Sequence, residues 1–150
     1  VTPREEVREM RGTFHIEAPV EKVFDFFTNP IEQVELFPST EIRELKKTEE
    51  GTGTYTDYHT TFFGIPMNAF GVITDFTPNK RIVEKSSSPM VGTWEYRFEP
   101  EGTGTKVVME HRSRSFWDLP PVRTIGDVIT TRMTDSYMTK VKEYLEGSVN

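Results

Sequence analysis

The sequence contains no cysteine. That excludes thiol nucleophiles, disulfide scaffolds, zinc knuckles and iron–sulfur clusters. A basic surplus is missing as well: 18 Lys and Arg stand against 24 Asp and Glu, for a formal charge of −6 and a pI near 5.2. Nucleic acids and anionic membranes draw affinity from basic patches, so no nucleic acid is expected as a partner. Long apolar runs are lacking, so nothing reads as a membrane span or as stable membrane insertion. The start, Val1-Thr-Pro-Arg-Glu-Glu, has no apolar stretch behind it of the kind a secretory signal needs. No Asn-X-Ser/Thr occurs. The expectation is a cytoplasmic protein, with a secreted chain that has shed its signal left open. Neither Gly-X-Ser-X-Gly nor His-X-X-X-His is present, which removes the usual signatures of serine hydrolases and helical zinc sites.

What is abundant is aromatic. Eleven Phe, five Tyr and two Trp occur in 150 residues, enough for a bulky interior or a lined pocket. The length fits one domain with one core over 1–150. Residues 8–17 read as a strand, with Met10, Phe14 and Ile16 on one parity. Pro19 fits the first helical position, and Val20, Val23, Phe24 and Phe27 follow helical spacing. Asn29-Pro30-Ile31-Glu32 restarts a helix, with Asn29 as cap and Glu32 able to close a capping box. Phe37-Pro38 stops it.

From residue 40 the period changes to two. Strands are expected over 40–49, 54–63, 67–76 (broken at Gly71), 81–87, 91–99 and 106–116. Glu-Gly-Thr-Gly-Thr occurs twice, at 50–54 and 101–105. Without a following Lys-Ser/Thr and helix it is no phosphate loop, and both copies read as hairpin turns. Asp118-Leu-Pro-Pro121 then opens a long helix that runs to about Glu146 and stops at Gly147.

The order strand, two short helices, six strands, long helix, with His15-Ile-Glu-Ala-Pro-Val-Glu-Lys-Val-Phe-Asp-Phe-Phe27 at the first junction, resembles the START-like or SRPBCC superfamily. The subgroup it resembles is the polyketide cyclase/dehydrase and lipid-transport proteins. Gly102-Thr-Gly-Thr-Lys-Val-Val, Ile73-Thr-Asp-Phe-Thr-Pro78 and Val141-Lys142-Glu-Tyr-Leu-Glu146 fit the same pattern. The resemblance covers about 8–146. It implies an α+β helix-grip (Bet v-like) fold: a curved antiparallel seven-stranded sheet wrapped around the C-terminal helix, enclosing an apolar cavity. It does not settle function, because one fold hosts carriers, receptors and cyclases.

Strand parity places residues without the resemblance. In 106–116, Glu110, Arg112 and Arg114 mark one face as solvent, so Val107, Met109, His111 and Ser113 point inward. In 93–99 the aromatic face of Trp94, Tyr96 and Phe98 lies inside, opposite Glu95, Arg97 and Glu99. In 54–63, Thr54, Thr56, Tyr58, Thr60 and Phe62 look inward and Tyr55, Asp57 and His59 outward. On the long helix, Tyr137, Val141, Tyr144 and Leu145 share one side, which carries back to Gly126, Thr130 and Thr134. Those small residues would leave room beneath a helical roof, with Met133 near them, while Val122, Ile125 and Ile129 lie rotated away. The candidate ligand-binding set is therefore Tyr58, Trp94, Tyr96, Phe98, Met109, His111, Ser113, Gly126, Thr130, Met133 and Tyr137. A stripe of aromatics on a strand is ordinarily plain core, and a lone histidine there is ordinarily a hydrogen-bonded core residue.

No metal is expected: His15, His59 and His111 fall on three strands, and the superfamily's strand order would set those of His59 and His111 three places apart. No cofactor is expected either. Three functions stay open. The first is binding or transport of a small hydrophobic or amphipathic molecule, such as a lipid, quinone or polyketide-like compound. The second is a metal-free cyclase or dehydratase using His111, Tyr96 and Ser113 as acid–base groups. The third is an interaction protein with no small ligand. A homodimer also stays open.

Overall fold

The computed structural model describes residues 8–62, 64–87, 91–114 and 123–147, apart from the side chains of Arg8, Phe62, Ser87, Arg123 and Thr130 and the surroundings of Gly126. Strand β1 (Arg8–Ile16) leads into helices α1 (Val20–Thr28) and α2 (Pro30–Val34). Strands β2 (Thr40–Lys46), β3 (Tyr55–Phe62), β4 (Ile65–Thr77), β5 (Arg81–Ser87), β6 (Val91–Glu101) and β7 (Gly104–Arg114) follow, then helix α3 (Arg123–Gly147). The seven strands form one antiparallel curved sheet in the order β1-β7-β6-β5-β4-β3-β2. A single crossing, from β1 through the two short helices to the far edge, separates the chain's first strand from its second.

Alternation sets the two faces. Directly opposed residues of antiparallel strands point the same way. Met109 faces Tyr96 and Tyr96 faces Ile82, so these three share the concave side. The second copy of Glu-Gly-Thr-Gly-Thr closes a two-residue hairpin: Glu101 pairs with Gly104, and Gly102 takes φ +60. The first copy also turns, with Gly51 at φ +84 and Gly53 at φ +88. Both are loops of backbone geometry, as their composition requires.

The core forms where α1 and the second half of α3 meet the sheet. Val23, Phe24, Phe26 and Phe27 of α1 are buried, as are Met138, Val141 and Leu145 of α3. Phe24 sits edge-on between Phe76 and Phe98, at 5.2 and 5.3 Å between ring centres. Each fully buried side chain of this kind contributes roughly 1.5–3 kcal/mol. At 25 residues, α3 is roughly 37 Å long.

Several expectations are corrected in detail. Strand β2 ends at Lys46, because Thr48 turns its hydroxyl to the Thr52 carbonyl at 2.7 Å and starts the loop. Strand β4 begins at Ile65, since Phe62 pairs with Ile65 and the turn ends on Gly64 at φ +78. Gly71 does not break it; the register shift lies between Ile73 and Asp75. Pro19 stands just before α1 rather than inside it. Asn29 makes no side-chain cap. Glu32 closes no box either, because its carboxylate accepts the Tyr144 hydroxyl at 2.8 Å. The strands of His59 and His111 are four places apart, one more than expected. Asp118 as helix cap, together with Val122 and Phe116, falls outside the described residues.

Candidate functional site

The concave face has two halves. One is the aliphatic and aromatic core around α1. The other is a polar surface built row by row from the middle strands. The ladder pairs His111 with Trp94, Trp94 with Glu84, and Glu84 with Ile73. One row further toward the strand ends lie Ser113, Gly92, Ser86 and Gly71, with Thr56 beyond them. That row is small throughout. At the ends of β5, β6 and β7 a depression of about 360 Å³ lies mostly on the outer face, against Lys85, Val91, Thr93, Arg112 and Arg114, and reaches Ser86, Gly92 and Ser113 of this row. A smaller groove of about 190 Å³ lies between Phe14 and α3.

His111 is 1% exposed. Its ring lies flat on Trp94, with ring centres 3.3 Å apart and planes 19° from parallel. Its Nδ1 is 3.3 Å from the Thr93 carbonyl oxygen, placing that nitrogen as donor. The stack holds both rings in one orientation.

Glu84 was not anticipated as a site residue. It points to the concave side, opposite Trp94, and its carboxyl lies over Gly71. A Cβ at Gly71 would fall 2.7 Å from Oε1 of Glu84. Among the described residues none hydrogen-bonds this carboxyl. Burial pushes it up to about 7, because the charged form loses its hydration without gaining a partner. Tyr58, Tyr96 and Tyr137 are near enough to feel its charge. All three phenols are pushed above their ordinary range, by burial first. They stay neutral and can donate or accept a hydrogen bond. Tyr58 bonds with Thr56; among the described residues Tyr96 and Tyr137 have no hydrogen-bond partner.

A family model described as "Polyketide cyclase / dehydrase and lipid transport" matches residues 8–146. The chain belongs to that family. Solved structures agree on the fold. The aromatase/cyclase Zhui of Streptomyces sp. R1128 superposes with a TM-score of 0.74 at 18% identity, covering 97% of each chain. A protein of Thermus thermophilus gives 0.75 at 17%, covering 95% of this chain and 100% of its own. The protein Ara h 8.0201 gives 0.66 at 14%, covering 93% and 98%. No match was found among curated proteins.

Within this polyketide cyclase/dehydrase and lipid transport domain, the residues expected to line a cavity divide. Tyr58, Trp94, His111 and Ser113 lie on the polar half, and Tyr96 and Tyr137 border it while packing against the core, Tyr96 on Phe27 and Tyr137 on Phe37. Met109 is buried beside Tyr96. Phe98 is 3% exposed and wedged against Phe24 and Phe27, a position inside the packed half. Met133 is 46% exposed on α3. The surroundings of Gly126 and the side chain of Thr130 lie outside the described residues. Among the described residues, no three His, Asp or Glu side chains gather as a metal site. No described helix is long and apolar enough to cross a membrane.

Glu84 escaped the sequence reading for a physical reason. Arg81-Ile-Val-Glu-Lys-Ser-Ser does not alternate: two apolar residues precede two charged ones. Parity is unreadable there. The one usable signal was the neighbouring strand, since Trp94 fixes the inward face for whichever residue it pairs with.

Proposed function

We propose that this domain binds a small hydrophobic or amphipathic molecule between the sheet's concave face and α3. One observation carries the reading: Glu84, Tyr96 and Tyr137 converge under the helix without hydrogen-bond partners among the described residues. All three are half-buried, and closing such a group off from water without a partner costs about 1–3 kcal/mol. Polar groups gathered this way serve something that occupies the space between them. The aromatic body of Trp94, Tyr96 and Tyr137 would hold the apolar part of that molecule, beside the row of small residues Gly71, Ser86, Gly92 and Ser113.

Titration of the protein into a solvatochromic dye tests this, followed by displacement with neutral amphiphiles, quinones and phenols. Saturable binding at one site per chain is expected. Failure of every compound to bind saturably sinks the reading.

A second reading, a metal-free cyclase or dehydratase, has its own support. A carboxyl poised near neutrality beside three phenols can exchange protons with a bound ketone. Mass spectrometry of ligand extracted from purified protein separates the two: an unaltered molecule favours the binder, a newly cyclised aromatic the enzyme.

A further inference from the structure

Glu84 stands where the sheet makes room for it. Gly71, on the neighbouring strand, is buried. The Glu84 carboxyl fills the place where any side chain at 71 would begin, its Cδ 3.0 Å from that point. The long acidic side chain is therefore held down against the sheet, half-buried. Among the described side chains that share the concave face there is no lysine or arginine to neutralise it. Its surroundings are rings: Trp94 opposite it on β6, with Tyr58 from β3, Tyr96 from β6 and Tyr137 from α3.

A carboxylate without its own cation, set among aromatic rings, has the chemistry to take up an ammonium group. The cation supplies the missing charge, and ring faces add to its attraction, the more so once water is excluded. The same site repels the head of a fatty-acid anion. The protein's net charge of −6 works in the same direction at long range. We propose that the ligand's buried end carries a basic nitrogen, seated on Glu84 among the rings of Tyr58, Tyr96 and Tyr137. This inference rests on the ligand-binding reading above and names the class of ligand.

The pH dependence follows. An aliphatic amine stays charged well above neutrality, so Glu84 alone decides its binding between pH 5 and 8. The three phenols facing it stay protonated throughout that range, and β4 offers only Gly71 and Ile73 beside it. His111 lies two strands away on the same face, and His111→Phe serves as a control.

The experiment uses octylamine, octanol and octanoate, which share a chain length and differ in their heads. Calorimetric titration at pH 5 and pH 8 is expected to show octylamine binding at least tenfold more tightly at pH 8. Octanol should not change, and octanoate should weaken. At pH 7 octylamine should release about half a proton per molecule bound, read from two buffers of different ionisation heat. Glu84→Gln should erase the amine's pH dependence, and octanol binding should stay independent of pH in the variant. Gly71→Ala, which displaces the carboxyl, should weaken the amine more than the alcohol. Octanol binding as tightly as octylamine at pH 8 overturns the proposal while the binding reading stands. So does a pH dependence that survives Glu84→Gln. If none of the three binds, both readings fall.

Discussion

The two halves of the concave face are built on opposite terms. In the half under α1, Ile16, Val23, Phe26, Val107, Val141 and Leu145 are wholly inaccessible and their neighbours are rings and aliphatic chains. In the half under the middle of α3, a carboxyl, three phenols, an imidazole and two serines share the surface. The first half holds the sheet to the helices. The second carries polar side chains, and among the described residues Glu84, Tyr96 and Tyr137 have no hydrogen-bond partner there. Truncation should expose this contrast most strongly. Phe26→Ala removes a fully buried ring that touches Phe27 and Tyr144, and should cost about 3–5 kcal/mol. Tyr58→Phe should cost less than about 1 kcal/mol, yet weaken ligand binding. Denaturant unfolding of both variants checks this, and equal losses would erase the distinction.

Glu84 sharpens it further. Its carboxyl is raised from 4.5 to about 7 in the folded chain. The folded state therefore holds a proton that the unfolded chain releases between those values, and stability falls as pH rises from 4.5 through 7. The cost is absent below about pH 4.5 and complete above about pH 7. Glu84→Gln should raise stability by roughly 1–3 kcal/mol at pH 8, at about 1.4 kcal/mol for each pH unit between the two values, and change little at pH 4.5. A stabilising group lost from the packed half would do the reverse. If Glu84→Gln destabilises at pH 8, the carboxyl has a structural partner and the polar half is part of the core.

His111→Phe should be smaller in its effect on folding. Phenylalanine keeps a flat ring on Trp94 but loses the bond to the Thr93 carbonyl. The fold should stay intact, and affinity for a hydroxyl-bearing ligand should fall about tenfold, the order of one lost hydrogen bond. Lost stability with unchanged affinity would make His111 a core residue only.

What the sequence disclosed follows the same division. Strand β7 was readable because Glu110, Arg112 and Arg114 label its outer face, and the buried residues Met109, His111 and Ser113 follow from alternation alone. The face of α3 around Val141 and Leu145 was readable from helical spacing. Strand β5 carried no alternation, so Glu84 emerged only when register tied it to Trp94. Gly71 looked like a strand breaker because its purpose lies in a residue 13 positions later that folds over it. Asn29 and Glu32 had the spacing of a capping box, but Tyr144, 112 residues away, claims the carboxylate. Local rules failed where a distant partner offered a stronger bond.

The smallest expected effect lies at the far end of the packed half, and it separates the halves by pH. His15 lies between Glu101, 2.7 Å from Nδ1, and Glu17, 3.2 Å from Nε2. Glu17 also accepts the Thr103 hydroxyl, and its backbone N–H donates to Glu146 at 2.9 Å. Lys142 closes the cluster with bonds to the His15 carbonyl and to Glu146. Thus β1, the β6–β7 hairpin and the end of α3 meet at one exposed imidazole. Its hydrogen bonds to Glu17 and then Glu101 raise it above 6.5. A raised histidine stabilises the fold fully below 6.5, and that stability is lost as pH rises through the folded value. Glu84 acts between 4.5 and about 7, and His15 acts from 6.5 upward. Both slopes have the same sign and come from opposite halves. His15→Gln should reduce the fall in melting temperature above pH 6.5 and leave the fall between 4.5 and 6.5 in place. Raising the salt concentration should mimic it, because the cluster is exposed and screened. A fall above pH 6.5 that is undiminished in His15→Gln would assign it to some group other than this cluster.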